Sequence, residues 1–151
     1  MKEQDVTQEY LSGATPGLGW IIYDANYQVE THRDEIQFAR WLYETFGGTI
    51  CLLTESVKDG EKRADYLWNG KLWDLKSVTT EKAANTAIKR GLAQIKKNPG
   101  GLILNYGDHD ISMEILLAVI GKRMQWLPEG GKADVLVVIR GEIIKVFRYR
   151  K

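Results

Sequence analysis

Residues 63–77 read RADYLWNGKLWDLKS. Two β-rich runs flank Asn69-Gly70, and Asn-Gly between such runs is the strongest short-range signal for a two-residue hairpin turn. That turn sets the pairing. Leu67 then faces Leu72, and Asp65 faces Asp74. Directly opposed side chains have Cβ atoms about 4.5–5.5 Å apart, and like charges there repel. Strand alternation puts Lys76 on the same face as Asp74. One face of the hairpin therefore presents Asp65, Asp74 and Lys76, an arrangement that needs a cation. Lys76 supplies one, and a divalent metal ion would supply it better.

Outward from the hairpin, DEIQFARWLYETF (34–46) has helical spacing, with Phe38, Ala39, Leu42 and Phe46 on one stripe and Gly47-Gly48 as the stop. WIIYD (20–24) and TICLLTES (49–56) read as strands, and KDGEK (58–62) as a turn. Thr79-Thr80 precede a helix over 81–97 whose apolar stripe is Ala84, Ala87, Ile88, Leu92 and Ile95. A strand at 101–106, a helix at 111–126 with Asp110 as its cap, and a closing hairpin of ADVLVVIR and IIKVFRYR follow. These elements predict an α/β fold, a mixed central β-sheet flanked by helices. Residues 1–18, polar and Gly-punctuated, read as a loose leader or linker, and 19–151 as one domain.

Composition narrows the function classes. The chain has 151 residues, 44% hydrophobic and 27% charged, with a formal net charge of +1. No run of apolar residues is long enough to span a membrane, and MKEQDVTQEY has no signal-peptide core. Cys51 is the single cysteine, so no internal disulfide or cysteine-based zinc site can form. His32 and His109 make no His-rich cluster, and neither has an evident acid partner, which disfavours a histidine-dependent ribonuclease.

An Asp-x-Lys pair on a solvated hairpin face is the ordinary alternative to a reactive site. Three features weigh against it. Leu72, Trp73 and Leu75 place Asp74 near the core edge, Asp65 falls in register, and Glu35 begins the helical stripe that faces the sheet. For Glu35 alone, first-turn stabilisation by the helix dipole is the plain alternative.

Helix with Glu, strand, Asp, hairpin, Asp-x-Lys, helix is the layout of the PD-(D/E)XK nuclease superfamily, which the chain resembles over about 33–106. The carrying stretches are DEIQFARWLYETFGGTICLL, RADY, WDLKS and the helix ending in AQIKK, with Ala64 where proline often stands. The resemblance implies a restriction-endonuclease-like fold. More narrowly, KRADYLWNGKLWDLKSVTTEKAANTAIKRGLAQIKKNPGGLIL is similar to the C-terminal tRNA-nuclease toxin domains of bacterial contact-dependent growth-inhibition proteins. That similarity implies a domain exported as the C-terminal part of a larger protein and active in the target-cell cytoplasm. It also implies RNA, most specifically tRNA, as substrate and an acidic immunity protein as partner.

The chemistry expected is phosphodiester hydrolysis with Mg²⁺ or another divalent cation. Asp65, Asp74 and Glu35 are the expected metal ligands, the Leu75 carbonyl a further donor, and Lys76 the group that orients water or stabilises developing charge. By resemblance Gln94 steadies the site, and Ser77 is placed to touch phosphate. A DNA endonuclease of the same fold, and a non-catalytic binding or immunity module, are the competing readings.

Nucleic acid also needs a basic surface. Residues 76–97 hold Lys76, Lys82, Lys89, Arg90, Lys96 and Lys97 against the one acid Glu81. Lys82, Lys89 and Lys96 share a helix face, either a phosphate track or a solvated face. Lys145, Arg148, Arg150 and Lys151 form a second cluster, and Trp68 and Trp73 either pack or stack on bases.

Overall fold

The computed structural model describes residues 1–54 and 63–151. The expected turn at 58–62 lies outside them. Asn69 and Gly70 both take positive φ, 48° and 80°, which a type I′ hairpin turn requires. The strands they join are β4 (Tyr66–Trp68) and β5 (Lys71–Ser77), after β1 (Lys2–Asp5), β2 (Gly19–Tyr23) and β3 (Gly48–Leu52). Tyr66 pairs with Trp73, Leu67 with Leu72 and Trp68 with Lys71, the register expected from the sequence.

Three further strands, β6 (Pro99–Asn105), β7 (Lys132–Ile139) and β8 (Ile143–Arg150), complete one mixed sheet. Its order is β1-β8-β7-β6-β5-β4-β3-β2. β2 and β3 run parallel, as do β5, β6 and β7, while the hairpins and β1–β8 are antiparallel. The helices are α1 (Thr7–Ser12), α2 (Arg33–Thr45), α3 (Ala84–Ile95) and α4 (Met113–Met124). This is the α/β sheet with flanking helices that the sequence predicts.

Strand alternation divides the core into two layers. Leu102, Leu104, Val135 and Val137 pack with Ile88 and Ile95 of α3 and Leu116 and Ile120 of α4. Ile103, Leu136, Val138, Tyr66 and Trp73 point to the other face, where Phe38, Ala39 and Leu42 of α2 cover them. α2 stops where expected, with Gly47 at φ 71° directly after the C-cap Phe46.

Three expectations are corrected. Residues 1–18 are not a loose leader: β1 pairs with β8, and α1 follows it. Thr7 Oγ1 accepts from the Val146 N–H at 2.9 Å, and the Tyr10 hydroxyl donates to Asp134. β1 is wholly exposed, so no apolar alternation marked it; backbone pairing and these side-chain bonds fix it instead. Second, α3 starts at Ala84, so Lys82 precedes the helix, although Thr80 Oγ1 does accept from the Ala83 N–H at 3.2 Å. Third, the cap of α4 is Ser112, whose side chain accepts from the Ile115 N–H, while Asp110 pairs with Arg140.

Candidate active site

Asp74 is 1% exposed, and it faces α3 because its strand neighbours Trp73 and Leu75 face α2. Lys76, next on the same side, sets its Nζ 2.8 Å from Asp74 Oδ2. From α3, Gln94 turns its amide nitrogen to both Asp74 oxygens, at 2.6 and 2.7 Å. Gly91, one turn earlier, gives α3 this close approach. A Cβ there would stand 2.3 Å from Leu102 Cδ2 and 3.4 Å from Asp74 Oδ2.

Asp65 sits in the bend before β4, where its Oδ2 accepts from the Leu75 N–H at 2.7 Å. Burial is the largest influence on its carboxyl; the Asp74 charge and a hydrogen bond to Asp74 add to it, against the Leu75 N–H. Together they push the Asp65 pKa up to about 9. The opposed pair read from the hairpin register is therefore real, and Asp65 responds by holding a proton near neutral pH. A pair of hard oxygen donors at which one carboxyl must stay protonated is a donor set that suits Mg²⁺, since a divalent charge replaces the proton.

Glu35 stands in the first turn of α2, on the other side of the sheet. Tyr27 donates its hydroxyl to Glu35 Oε2 at 2.7 Å, and His32 Nδ1 lies 3.7 Å from Oε1. The Tyr66 hydroxyl bonds the Glu35 backbone carbonyl at 2.6 Å. Glu35 is near enough for its charge to raise Asp65. Even so, among the described residues no three His, Cys, Asp or Glu groups gather closely enough to hold an ion. The expected convergence of Glu35 with Asp65 and Asp74 is thus not seen. The α2 stripe drives Phe38 and Leu42 into the core while the first-turn carboxylate remains at the rim, held by Tyr27.

Lys89 and Arg90 are exposed on α3, opposite buried Ala84, Ala87, Ile88, Gly91 and Ile95, with exposed Lys96 and Lys97 after them and exposed Lys82 before. The C-terminal cluster is different. Arg148 binds Asp134 at 2.8 Å and Glu9 at 2.6 Å, and Lys151 donates to the Gln125 carbonyl. Trp68 and Trp73 are buried, so they pack. Ser77 is exposed on the side of the sheet opposite Lys76, beside α2.

Sequence reasoning missed Tyr27 and the two backbone–side-chain bonds that orient Asp65 and Glu35. It also missed His32, although its i,i+3 spacing to Glu35 was visible. A cavity of about 360 Å³ beside Lys71, Lys132 and Asp134 lies at the opposite end of the strands from Asp65 and Lys76.

Residues 62–144 match the family described as "Contact-dependent growth inhibition CdiA C-terminal domain". The chain belongs to that family. As a CdiA C-terminal domain it is a toxin domain of contact-dependent growth inhibition, the C-terminal part of a larger exported protein. The matched stretch carries Asp65, Asp74, Lys76 and Gln94, whereas Glu35 precedes it. The chain is also similar to a chain of the "CdiA-CT/CdiI toxin and immunity complex from Burkholderia pseudomallei". The TM-score is 0.53 at 23% identity, over 88% of this chain and 95% of that one. That likeness concerns the fold. No curated protein matches the chain.

Proposed function

We propose that this CdiA C-terminal domain is a metal-dependent endonuclease of the PD-(D/E)XK kind that hydrolyses RNA, with tRNA as its target in the cytoplasm of the recipient cell. The observation that carries the reading is the buried Asp65–Asp74 pair with Lys76 Nζ at 2.8 Å. Repelling carboxylates are costly to keep unless a ligand uses them.

Asp65 and Asp74 would hold Mg²⁺, with the Leu75 carbonyl as a further oxygen donor. A bound Mg²⁺ polarises a phosphodiester and lowers the pKa of a water molecule. Gln94 and the Leu75 N–H hold the two carboxylates in place. Glu35 acts from the rim, reaching the site through water. Lys76 is the group at hand to orient the attacking water and to stabilise negative charge on the phosphate. Lys89, Arg90, Lys96 and Lys97 continue from the site as a track for phosphates.

The immunity partner follows from the fold relative, which its description calls a toxin and immunity complex. A small acidic protein covering the basic helix or the mouth of the site would associate quickly. Purified protein incubated with total RNA and with plasmid DNA, in Mg²⁺ or in EDTA, tests the function. Mg²⁺-dependent loss of tRNA bands is expected; cutting of plasmid alone makes it a DNA enzyme of this fold, and no cutting of either overturns the reading.

A further inference from the structure

At the same end of the sheet, on the α2 side, lies a second cavity of about 300 Å³. It adjoins the Asp65–Asp74 site through β5. Leu75 contributes its N–H to Asp65 and its side chain to the cavity wall. Ser77 directly follows Lys76, and Asp34 directly precedes Glu35. Cavities at the carboxyl ends of parallel strands are where α/β folds bind ligands.

The lining defines the ligand. Phe38 and Trp41 form an aromatic wall, their ring centroids 5.1 Å apart, and the Trp41 indole is held by the Gly141 carbonyl at 3.3 Å. Such a wall stacks flat rings. The polar groups are Asp34, Gln37, Ser77 and Asn105, and among the described residues no lysine or arginine lines the cavity. A phosphate would meet the Asp34 carboxylate without a balancing cation, so phosphate belongs beside Lys76. Asp34 only accepts hydrogen bonds. Asn105 Oδ1 already takes the Gly107 N–H at 3.1 Å, which leaves its amide nitrogen to donate. The side chains of Asp34, Gln37 and Ser77 bond no other described residue.

An acceptor beside a donor, over an aromatic wall, matches a base whose amino group lies next to a ring acceptor; uracil's N3–H lies between two carbonyl oxygens, one of which would face the Asp34 carboxylate. We propose that this cavity receives the unpaired nucleobase flanking the scissile phosphate, and that it selects a base with an exocyclic amino group over uracil. The proposal rests on the RNase reading above. It adds the specificity pocket, with Asp34 and Gln37 as its selecting side chains.

Two measurements test it. The first compares kcat/KM for oligoribonucleotides that differ only in cytosine or uracil beside the mapped cleavage site. Wild type should prefer cytosine roughly tenfold, as a base-edge contact provides. The Asp34→Ala/Gln37→Ala variant, altered at two exposed positions, should prefer it less than about twofold. The second follows the Trp41 indole ¹⁵N–¹H resonance during titration with cytidine or uridine, with no metal or phosphate present. Cytidine should shift it in wild type, and neither nucleoside should shift it in the double variant. If RNA is not cut but cytidine still shifts Trp41, the pocket stands and the nuclease reading fails. If RNA is cut with equal preference in both proteins and cytidine leaves Trp41 unmoved, the pocket is overturned and the nuclease reading stands. If neither cutting nor a shift is seen, both fall.

Discussion

Lys76 Nζ stands 2.8 Å from Asp74 Oδ2 at a residue that is almost wholly buried. Burial makes this contact depend on both partners. It places a cation beside the carboxylate pair, where a phosphate's negative charge would develop. Replacing Lys76 with alanine should lower kcat by about 10²–10³, the effect of losing one preorganised donor, with much less change in KM. Steady-state kinetics on a tRNA substrate would check it. Full turnover with a raised KM would make Lys76 a mere phosphate contact.

The raised pKa of Asp65 gives a pH signature. Its ordinary value is 3.8 and its folded value about 9, so between them the folded state binds more protons than the unfolded. Stability of the metal-free protein should then fall as pH rises through that window. Asp65→Asn should flatten the fall and raise the melting temperature at pH 8 in EDTA. A gain of about 1 kcal/mol corresponds to roughly 2–4 °C in a chain of this size. Adding Mg²⁺ to wild type should restore stability by about 2.7 kcal/mol at a hundredfold excess over Kd. Calorimetry from pH 5 to pH 9 measures both, and a pH-independent difference between the two proteins would sink this assignment.

Gly91 keeps α3 close to Asp74. A Cβ at this position would collide with Leu102, so Gly91→Ala should cost about 1–3 kcal/mol through overpacking. Because α3 also carries Gln94, the folded variant should lose activity as well. Urea denaturation and the cleavage rate would both move; a variant that packs without loss would show that α3 has room to spare.

The basic surface predicts a salt effect. Lys89 and Lys96 are exposed and remote from the carboxylates' hydrogen bonds. Lys89→Gln with Lys96→Gln should weaken RNA binding similarly across sequences, since phosphate contacts position without specifying. The slope of log K against log salt should become shallower by roughly one to two units. Fluorescence anisotropy at several salt concentrations measures it, and an unchanged slope would leave these lysines as a solvated face.

The hairpin was legible because Asn69-Gly70 dictates its own turn and register, and the register alone brought Asp65 opposite Asp74. The alternating core strands and the α2 and α3 stripes were legible for the same local reason. β1 was not, since its four residues are exposed and their pairing with β8 joins opposite ends of the chain. The place of Glu35 was half legible. Periodicity found the helix face, but whether a first-turn carboxylate reaches across the sheet or stays at the rim depends on Tyr27, His32 and Tyr66, which periodicity does not relate. Arg148 read as one of a basic C-terminal cluster because its partners, Glu9 and Asp134, are distant in sequence.

The central claim is that Asp65 and Asp74 hold the cation for phosphodiester cleavage. Its most direct test is the single-turnover rate of tRNA cleavage against Mg²⁺ concentration, for wild type and Asp74→Ala. Wild type should show a saturable Mg²⁺ dependence abolished by EDTA, and Asp74→Ala, still folded, should lose at least about 10³ in rate at saturating Mg²⁺. Cleavage by Asp74→Ala at the wild-type rate, or wild-type cleavage that persists in EDTA, would contradict it.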